Sequence, residues 1–258
     1  MTGILDGKTA LIFGVANRRS IAWGIAQALA GAGAKLAFTY QGERIEAGVR
    51  ELAGSVGSDL VLPCDVTKDE DLDAVFEAVG NELGGLDILI HAVAFAARED
   101  LEGRFTDTKR ANFAMALDIS AYSLTAMVQR AEPLMEKNGG GSVVTMTYLG
   151  GERAVQNYNV MGVAKAALDA SMRYLAMDLG VKNIRVNAIS AGPIRTLAAR
   201  SISGFTVMEE HYEKRAPMRR NVDANEVGQT ALFLCSPMSS GITGEIIHVD
   251  AGYHSIGF

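Results

Sequence analysis

The chain has 258 residues, 48% hydrophobic and 21% charged, with a net charge of −6. Those proportions exclude a disordered chain and suit a folded protein with a sizeable core, while the acidic balance argues against general nucleic-acid binding, which needs a basic face. The opening MTGILDGKTALIF has no basic segment followed by a long apolar run, so no secretory signal is expected and a cytoplasmic location is the default. The longest uncharged run, residues 227–244, is broken by Gln229, Ser236, Pro237 and Gly241 and is too polar to span a bilayer.

Short apolar runs alternate with longer helical patterns along the chain. The first run, TALIF (9–13), leads into GVANRRSIAWGIA (14–26), where Gly14 ends a strand, Ser20 starts a helix and Gly24 lies one turn inside it. Backbone amides at a helix start attract phosphate, and glycine lets a pyrophosphate approach closely. The spacing is not GxGxxG, and an ordinary turn with Ser20 as N-cap fits this segment equally. The second run, KLAFTY (35–40), is followed by Gln41, where NAD-binding units usually place Asp or Glu on the adenosine ribose. Glutamine can bond a hydroxyl but lacks the charge that repels a 2′-phosphate, and Arg44 stands close by.

The third run, DLVLPC (59–64), continues into Asp65 and Val66. Asp65 either accepts from an adenine amino group or caps the helix DEDLDAVFEAVGNEL starting near Asp69; Val66 can pack on the adenine ring. The fourth, LDILIHAVA (86–94), ends in small residues around Val93 and Ala96 that let a ligand lie against the backbone. The fifth, SVVTMT (142–147), precedes Tyr148 and the segment NYNVMGVAKAAL (157–168). If that segment is helical, Tyr158 and Lys165 project from one face, two turns apart. Taken alone, such a pair more often means a tyrosine over an apolar patch and a lysine reaching for water. The sixth run, IRVNAIS (184–190), is followed by AGPIRTLAA (191–199), and the seventh, EIIHVD (245–250), by the C-terminus, with the helical pattern DANEVGQTALFLCS between them.

Most of these runs are apolar on both alternating faces, as strands covered by helices on both sides should be. The order predicts an α/β fold: a single-domain, Rossmann-type doubly wound sheet of about seven parallel strands, with no linker dividing residues 1–258. Ligands then belong beyond the C-terminal strand ends. Cys64 and Cys235 sit in apolar settings far apart in sequence and read as reduced core thiols; histidines 91, 211, 248 and 254 show no ligand spacing with them, so no metal is expected.

GVANRRSIAWGIA, LAFTYQGER, CDV, HAVAFA, YLGGERAVQNYNVMGVAKAALDASMRYLAMDLG, IRVNAISAGPIRTLAA and GITGEIIHVDAGY together span nearly the whole chain. In these segments the sequence resembles the divergent short-chain dehydrogenase/reductase family, and within it the bacterial NADH-dependent enoyl-(acyl-carrier-protein) reductases. Ordinary members of the superfamily place Tyr four residues before the Lys, after a catalytic Ser. Here that position is Met161. The enoyl reductases place Tyr seven residues before the Lys, matching Tyr158, and a second Tyr ten residues earlier, matching Tyr148.

The resemblance implies reduction of the trans-2 double bond of enoyl thioesters, the last reductive step of each fatty-acid elongation cycle. Tyr158 would donate to the developing enolate oxygen, and Lys165 would hold the nicotinamide ribose. Tyr148 would relay a proton or wall the acyl pocket. The NADH site would take Gly14, Ser20, Ile21, Gln41, Asp65, Val66, Val93, Lys165, Ile194, Thr196 and Ala198. Ala96 falls on a substrate-contacting position. Residues 197–212 read as a mobile lid or as a surface helix, within a lid region around 195–215. An acyl carrier protein, being acidic, would dock on basic residues near that lid. Only Arg200 remains in the matching stretch, with Ser203, Thr206 and Val207 beside it; Lys214, Arg215, Arg219 and Arg220 either compensate or form a solvated face. A homotetramer is implied, built on apolar helix faces around 112–130 and 160–177. The rivals are a carbonyl reductase of the same fold, which Met161 disfavours, and a dinucleotide sensor without turnover.

Overall fold

A computed structural model of the chain describes residues 3–196, 199 and 204–257. All seven expected strands form: β1 (Thr9–Phe13), β2 (Lys35–Tyr40), β3 (Val61–Pro63), β4 (Ile88–His91), β5 (Gly141–Thr147), β6 (Ile184–Ala191) and β7 (Ile246–Val249). They make one sheet in the order β3-β2-β1-β4-β5-β6-β7, every pair parallel. The chain therefore winds outward from β1 in one direction and from β4 in the other. The crevice between their C-terminal ends is where such a fold receives ligands.

Three strands are shorter than their apolar runs; β7 is one, an edge strand that pairs only with β6. β3 is an edge strand that pairs only with β2. In the fourth run, Leu86 is buried in the core ahead of β4, and Ala92, Val93 and Ala94 line a cavity beyond it. Their apolar character serves packing and a ligand surface, neither of which needs ladder hydrogen bonds.

Helices α1 (Ile21–Gly31), α2 (Glu43–Ser55) and α8 (Ala224–Cys235) cover one face of the sheet, and α3 (Asp69–Leu83), α5 (Ser123–Lys137) and α6 (Asn159–Leu179) cover the other. β1 shows why its sequence is continuously apolar: Ala10 and Ile12 enter the first core, Leu11 and Phe13 the second. α1 and α8 meet at Gly24, where a Cβ would stand 2.3 Å from the Ala224 carbonyl oxygen. Gly24 thus serves helix packing as well as the first crossover. At the start of α8, Asp223 Oδ1 accepts from Glu226 N at 3.0 Å and Glu226 Oε2 accepts from Asp223 N at 3.1 Å, a reciprocal cap.

α4 (Arg110–Leu117) runs into α5 through a widened π turn, Asp118–Tyr122. That turn presents Ser120, whose hydroxyl accepts from Phe95 N at 3.0 Å and lies 3.1 Å from Phe95 O, anchoring the loop after β4. A further helix, α7 (Phe205–Arg215), falls within the stretch expected from sequence to be a lid. Cys64 and Cys235 are buried free thiols, both pushed up to about 12 by burial and so unreactive. Among the described residues no helix is long and apolar enough to cross a membrane.

Candidate active site

A cavity of about 560 Å³ opens across the C-terminal ends of the strands. Its walls come from the segments after β1 to β6: Gly14 and Ser20, Gln41, Val66, Val93 and Ala96, Tyr148, and Ile194 with Thr196. Tyr158, Met161 and Lys165 close it from α6, and Phe205 and Met208 from α7. One end of the trough thus carries Gln41 and the other Tyr158 and Lys165.

α6 begins at Asn159, so Tyr158 is the residue before the helix and not part of its first turn, as a helix over all of 157–168 would have it. Asn157 and Asn159 on either side have φ of 61° and 36°, a bent entry that asparagine tolerates. The ring nevertheless turns into the cavity, 8% exposed, and packs with Met161, Ala164 and Leu101. Burial, then the neighbouring Tyr148 and Asp169, holds its phenol above the ordinary range, so it stays a neutral O–H donor. Lys165 is 5% exposed and donates to the Met146 carbonyl oxygen at 2.7 Å. Burial pushes its ammonium down to about 8, against the opposing pull of Asp169. Beside it, Thr147 Oγ1 is buried in the cavity wall and faces the Asp169 carboxylate, whose pKa burial raises and this hydroxyl helps to lower.

The family model described as "Enoyl-(Acyl carrier protein) reductase" matches residues 14–254. The chain belongs to this enoyl reductase family. It is 57% identical to the NADH enoyl-(acyl-carrier-protein) reductase FabI of Bacillus cereus over 98% of this chain and 99% of that one. It is 53% identical to the NADPH enzyme FabI of Staphylococcus aureus, over 98% of each. The crystal structure of the Bacillus cereus reductase with NADP+ and indole naphthyridinone superposes with a TM-score of 0.97 at 56% identity, covering 99% of this chain and 100% of that one.

In this member of the enoyl reductase family, the described residues among those expected from sequence gather in one place, with one exception. Gly14, Ser20, Ile21, Gln41, Val66, Val93, Ala96, Tyr148, Tyr158, Lys165, Ile194 and Thr196 all line the cavity. Asp65 does not: its Oδ1 accepts from the backbone N of Thr67 at 3.1 Å and lies 2.8 Å from the Thr67 hydroxyl. Nor does Asp65 cap α3, whose N-cap is Lys68. Ala198 lies outside the described residues, as do Arg200 and Ser203 of the expected docking stretch.

Ser20 occupies the N-cap of α1 but its hydroxyl turns back instead of capping, accepting from the amides of Ala16 at 3.0 Å and Asn17 at 3.1 Å. It shapes the loop and leaves the first amides of α1 free of a side-chain cap at the cavity edge. Gly14 has φ 102°, and a Cβ there would stand 2.2 Å from the Ala92 carbonyl oxygen, so only glycine lets β1 turn here against the segment after β4. Among the basic residues offered for docking, Arg220 pairs with Glu226 at 2.6 Å and Lys214 approaches Glu210 at 3.9 Å, while Arg219 donates to the Lys214 carbonyl.

Sequence reasoning passed over several residues that shape the site. His91, at the end of β4, is wholly buried, with Nδ1 2.7 Å from Thr145 Oγ1 and Nε2 2.8 Å from Ser123 Oγ. Since Ser123 Oγ already donates to Ile119 O at 2.7 Å, the network places the ring proton on Nε2. Ser120 was invisible because a π turn has no sequence signature. Phe205, Met208 and Tyr212 lie in a segment of weak periodicity, and only the fold brings them over Tyr148.

Proposed function

We propose that this chain is an NADH-dependent enoyl-(acyl-carrier-protein) reductase that saturates the trans-2 double bond of enoyl thioesters in fatty-acid elongation. The observation that carries the reading is a buried, neutral Tyr158 phenol beside Lys165 in a largely apolar trough, with Met161 where a carbonyl reductase of this superfamily would place its tyrosine.

The residues present fit a dinucleotide. The spare Lys165 donors suit a ribose, the uncapped α1 amides suit a phosphate, and Gln41 suits a second ribose hydroxyl. Gly14, Ile21, Val66, Val93, Ile194 and Thr196 would form the remaining walls, with Asp65 at the edge. Bound NADH would supply a hydride for the β-carbon of the enoyl group, and the enolate so formed would take its α-carbon proton from solvent water, giving the saturated thioester and NAD+.

Tyr158 donates a hydrogen bond to the thioester carbonyl oxygen as negative charge collects there. Because burial keeps the phenol protonated, the donor is in place before charge develops, which is the condition for stabilising a transition state over the ground state. Lys165 is held by the Met146 carbonyl, which takes one of its three ammonium protons and leaves two for ligand hydroxyls. Its charge also lies on the side of the cavity where the enolate forms. Met161, Ala96 and Leu101 keep the acyl end dry, which strengthens both interactions.

The substrate carrier is an acidic acyl carrier protein, with Lys214, Arg215 and Arg219 near α7 as the available basic groups. A lid around residues 195–215 belongs to the single domain, with α7 among its described residues. Exposed Met115, Tyr122, Tyr174 and Met177 on the α4-to-α6 faces support a homotetramer, which sedimentation would test, and a cytoplasmic location accords with an acyl-carrier substrate. The deciding experiment offers purified protein NADH or NADPH with crotonyl or 3-oxobutyryl thioester. Oxidation of NADH with the enoyl substrate alone is expected. Oxidation only with the oxo substrate overturns the reading in favour of a carbonyl reductase, and none with either favours a sensor.

A further inference from the structure

Tyr148 does not direct its hydroxyl at the reacting end of the trough. It lies 3.1 Å from the Tyr212 hydroxyl and donates to Met208 Sδ at 3.3 Å, both residues of α7. A single arrangement of the two protons satisfies every contact: Tyr212 O–H donates to Tyr148 Oη, and Tyr148 O–H points at the thioether, a weak acceptor. Tyr212 is 4% exposed and stacks on Tyr253 with ring centroids 3.6 Å apart, so its own orientation is fixed from behind. On its other side Tyr148 meets Tyr158 edge to face at 4.9 Å. α7 is further held by Glu209, whose carboxylate accepts from Arg195 Nε at 2.8 and 2.9 Å, and whose carbonyl accepts from Asn221 Nδ2 at 3.1 Å.

We propose that Tyr212 is a positioning residue: through the Tyr148 hydroxyl it latches α7 over the acyl end of the cavity and holds the Tyr148 ring against Tyr158. Tyr212 does not itself line the cavity, whereas Phe205 and Met208 of the same helix do. The latch therefore acts on the wall that meets the acyl chain and leaves the dinucleotide end untouched. The thioether can release the Tyr148 proton cheaply when a better acceptor enters, while the Tyr212 bond persists. This inference rests on the enoyl reductase reading for its kinetic consequence, though not for the contact itself.

Y212F removes the hydroxyl and keeps the stacked ring; Y148F removes the other half of the pair. With crotonyl thioester and NADH, each single variant should raise the thioester KM ~3- to 10-fold, the range lost with one intramolecular hydrogen bond. Y212F should leave kcat and the NADH KM within about twofold. The double variant should raise the thioester KM no further than the larger single effect, because the two residues act through one contact. Amide hydrogen exchange over residues 205–215 should quicken in both single variants, at unchanged melting temperature. An unchanged thioester KM and unchanged exchange in Y212F overturn the latch, as do effects that multiply in the double variant. If the wild type reduces no enoyl thioester, the enzymatic reading falls by itself, and the exchange measurement alone decides whether Tyr212 latches α7.

Discussion

The Lys165 ammonium donates to the Met146 carbonyl oxygen at 2.7 Å, so a residue of α6 is tied directly to the C-terminal end of β5. Among the described residues Lys165 makes no ion pair within 4.0 Å; Asp169, one turn along, acts on it only at longer range. Burial without a close counter-ion pushes the ammonium down to about 8. Activity and stability should therefore respond to alkali in opposite directions. Above about pH 8 the free enzyme loses the cation, and kcat/KM should fall with an apparent pKa near that value. For folding the sign reverses. Between about 8 and the ordinary lysine value of 10.5 the unfolded chain binds more protons, so this group's contribution to stability rises with pH. K165M should abolish turnover yet melt at or above the wild-type temperature near pH 7, and marked destabilisation would show that the charge is better compensated than the geometry indicates.

Removing the Tyr158 hydroxyl isolates its role. Y158F keeps the ring that packs on Met161 and Ala164, so the fold and the cavity should survive. Losing one such donor typically costs ~10²- to 10³-fold in kcat. The thioester KM should change little, since the bond matters when charge has developed. Steady-state kinetics with crotonyl thioester checks this, and unaltered kcat would remove Tyr158 from the chemistry.

How far the site was legible from sequence divides along physical lines. The strands could be read because residues such as Ala10 to Phe13 must be apolar on both faces of a covered parallel sheet, and the order of elements then put Gly14, Gln41, Val66 and Tyr148 at one edge. Tyr158 and Lys165 came from spacing joined to resemblance; periodicity alone left them an ordinary helix pair, and in the structure Tyr158 is not within the helix at all. Asp65 stands just outside the cavity wall, its carboxylate meeting Thr67 locally and also Gln41, which does line the cavity. Tyr212 and His91 could not be read, since their partners stand 64 and 54 residues away in sequence and meet only once the sheet has formed.

His91 predicts an acid limit to stability. Its ring is wholly buried and its pKa lowered to about 3, by burial first and the Lys165 charge second. Facing it are the Thr145 and Ser123 hydroxyls, which do not titrate in the acid range. Below the ordinary histidine value of 6.5 the unfolded chain takes up a proton that the folded one refuses, so stability is lost as pH falls from about 6.5 toward 3. One such proton is worth up to about 1.4 kcal/mol per pH unit. Denaturant titrations between pH 5 and 7 should show a smaller slope with pH for H91Q than for the wild type, and equal slopes would assign the acid sensitivity elsewhere.

The contact between α1 and α8 sets the position of the uncapped amides that face the cavity. A Cβ on Gly24 would stand 2.3 Å from the Ala224 carbonyl oxygen, and one on Gly228 would stand 2.4 Å from the Gly24 carbonyl oxygen. Both obstacles are backbone, so neither helix can yield by turning a side chain. G24A and G228A should each destabilise the protein by about 1–3 kcal/mol, the usual cost of overpacking, despite alanine's better helix propensity. G24A should also raise the NADH KM more than the thioester KM, because the helix it displaces meets the cavity at Ser20 and Ile21, across the trough from Tyr158. Chemical denaturation and steady-state kinetics measure the two effects. A stable G24A with ordinary NADH affinity would mean that α1 and α8 can separate without moving the phosphate end of the site.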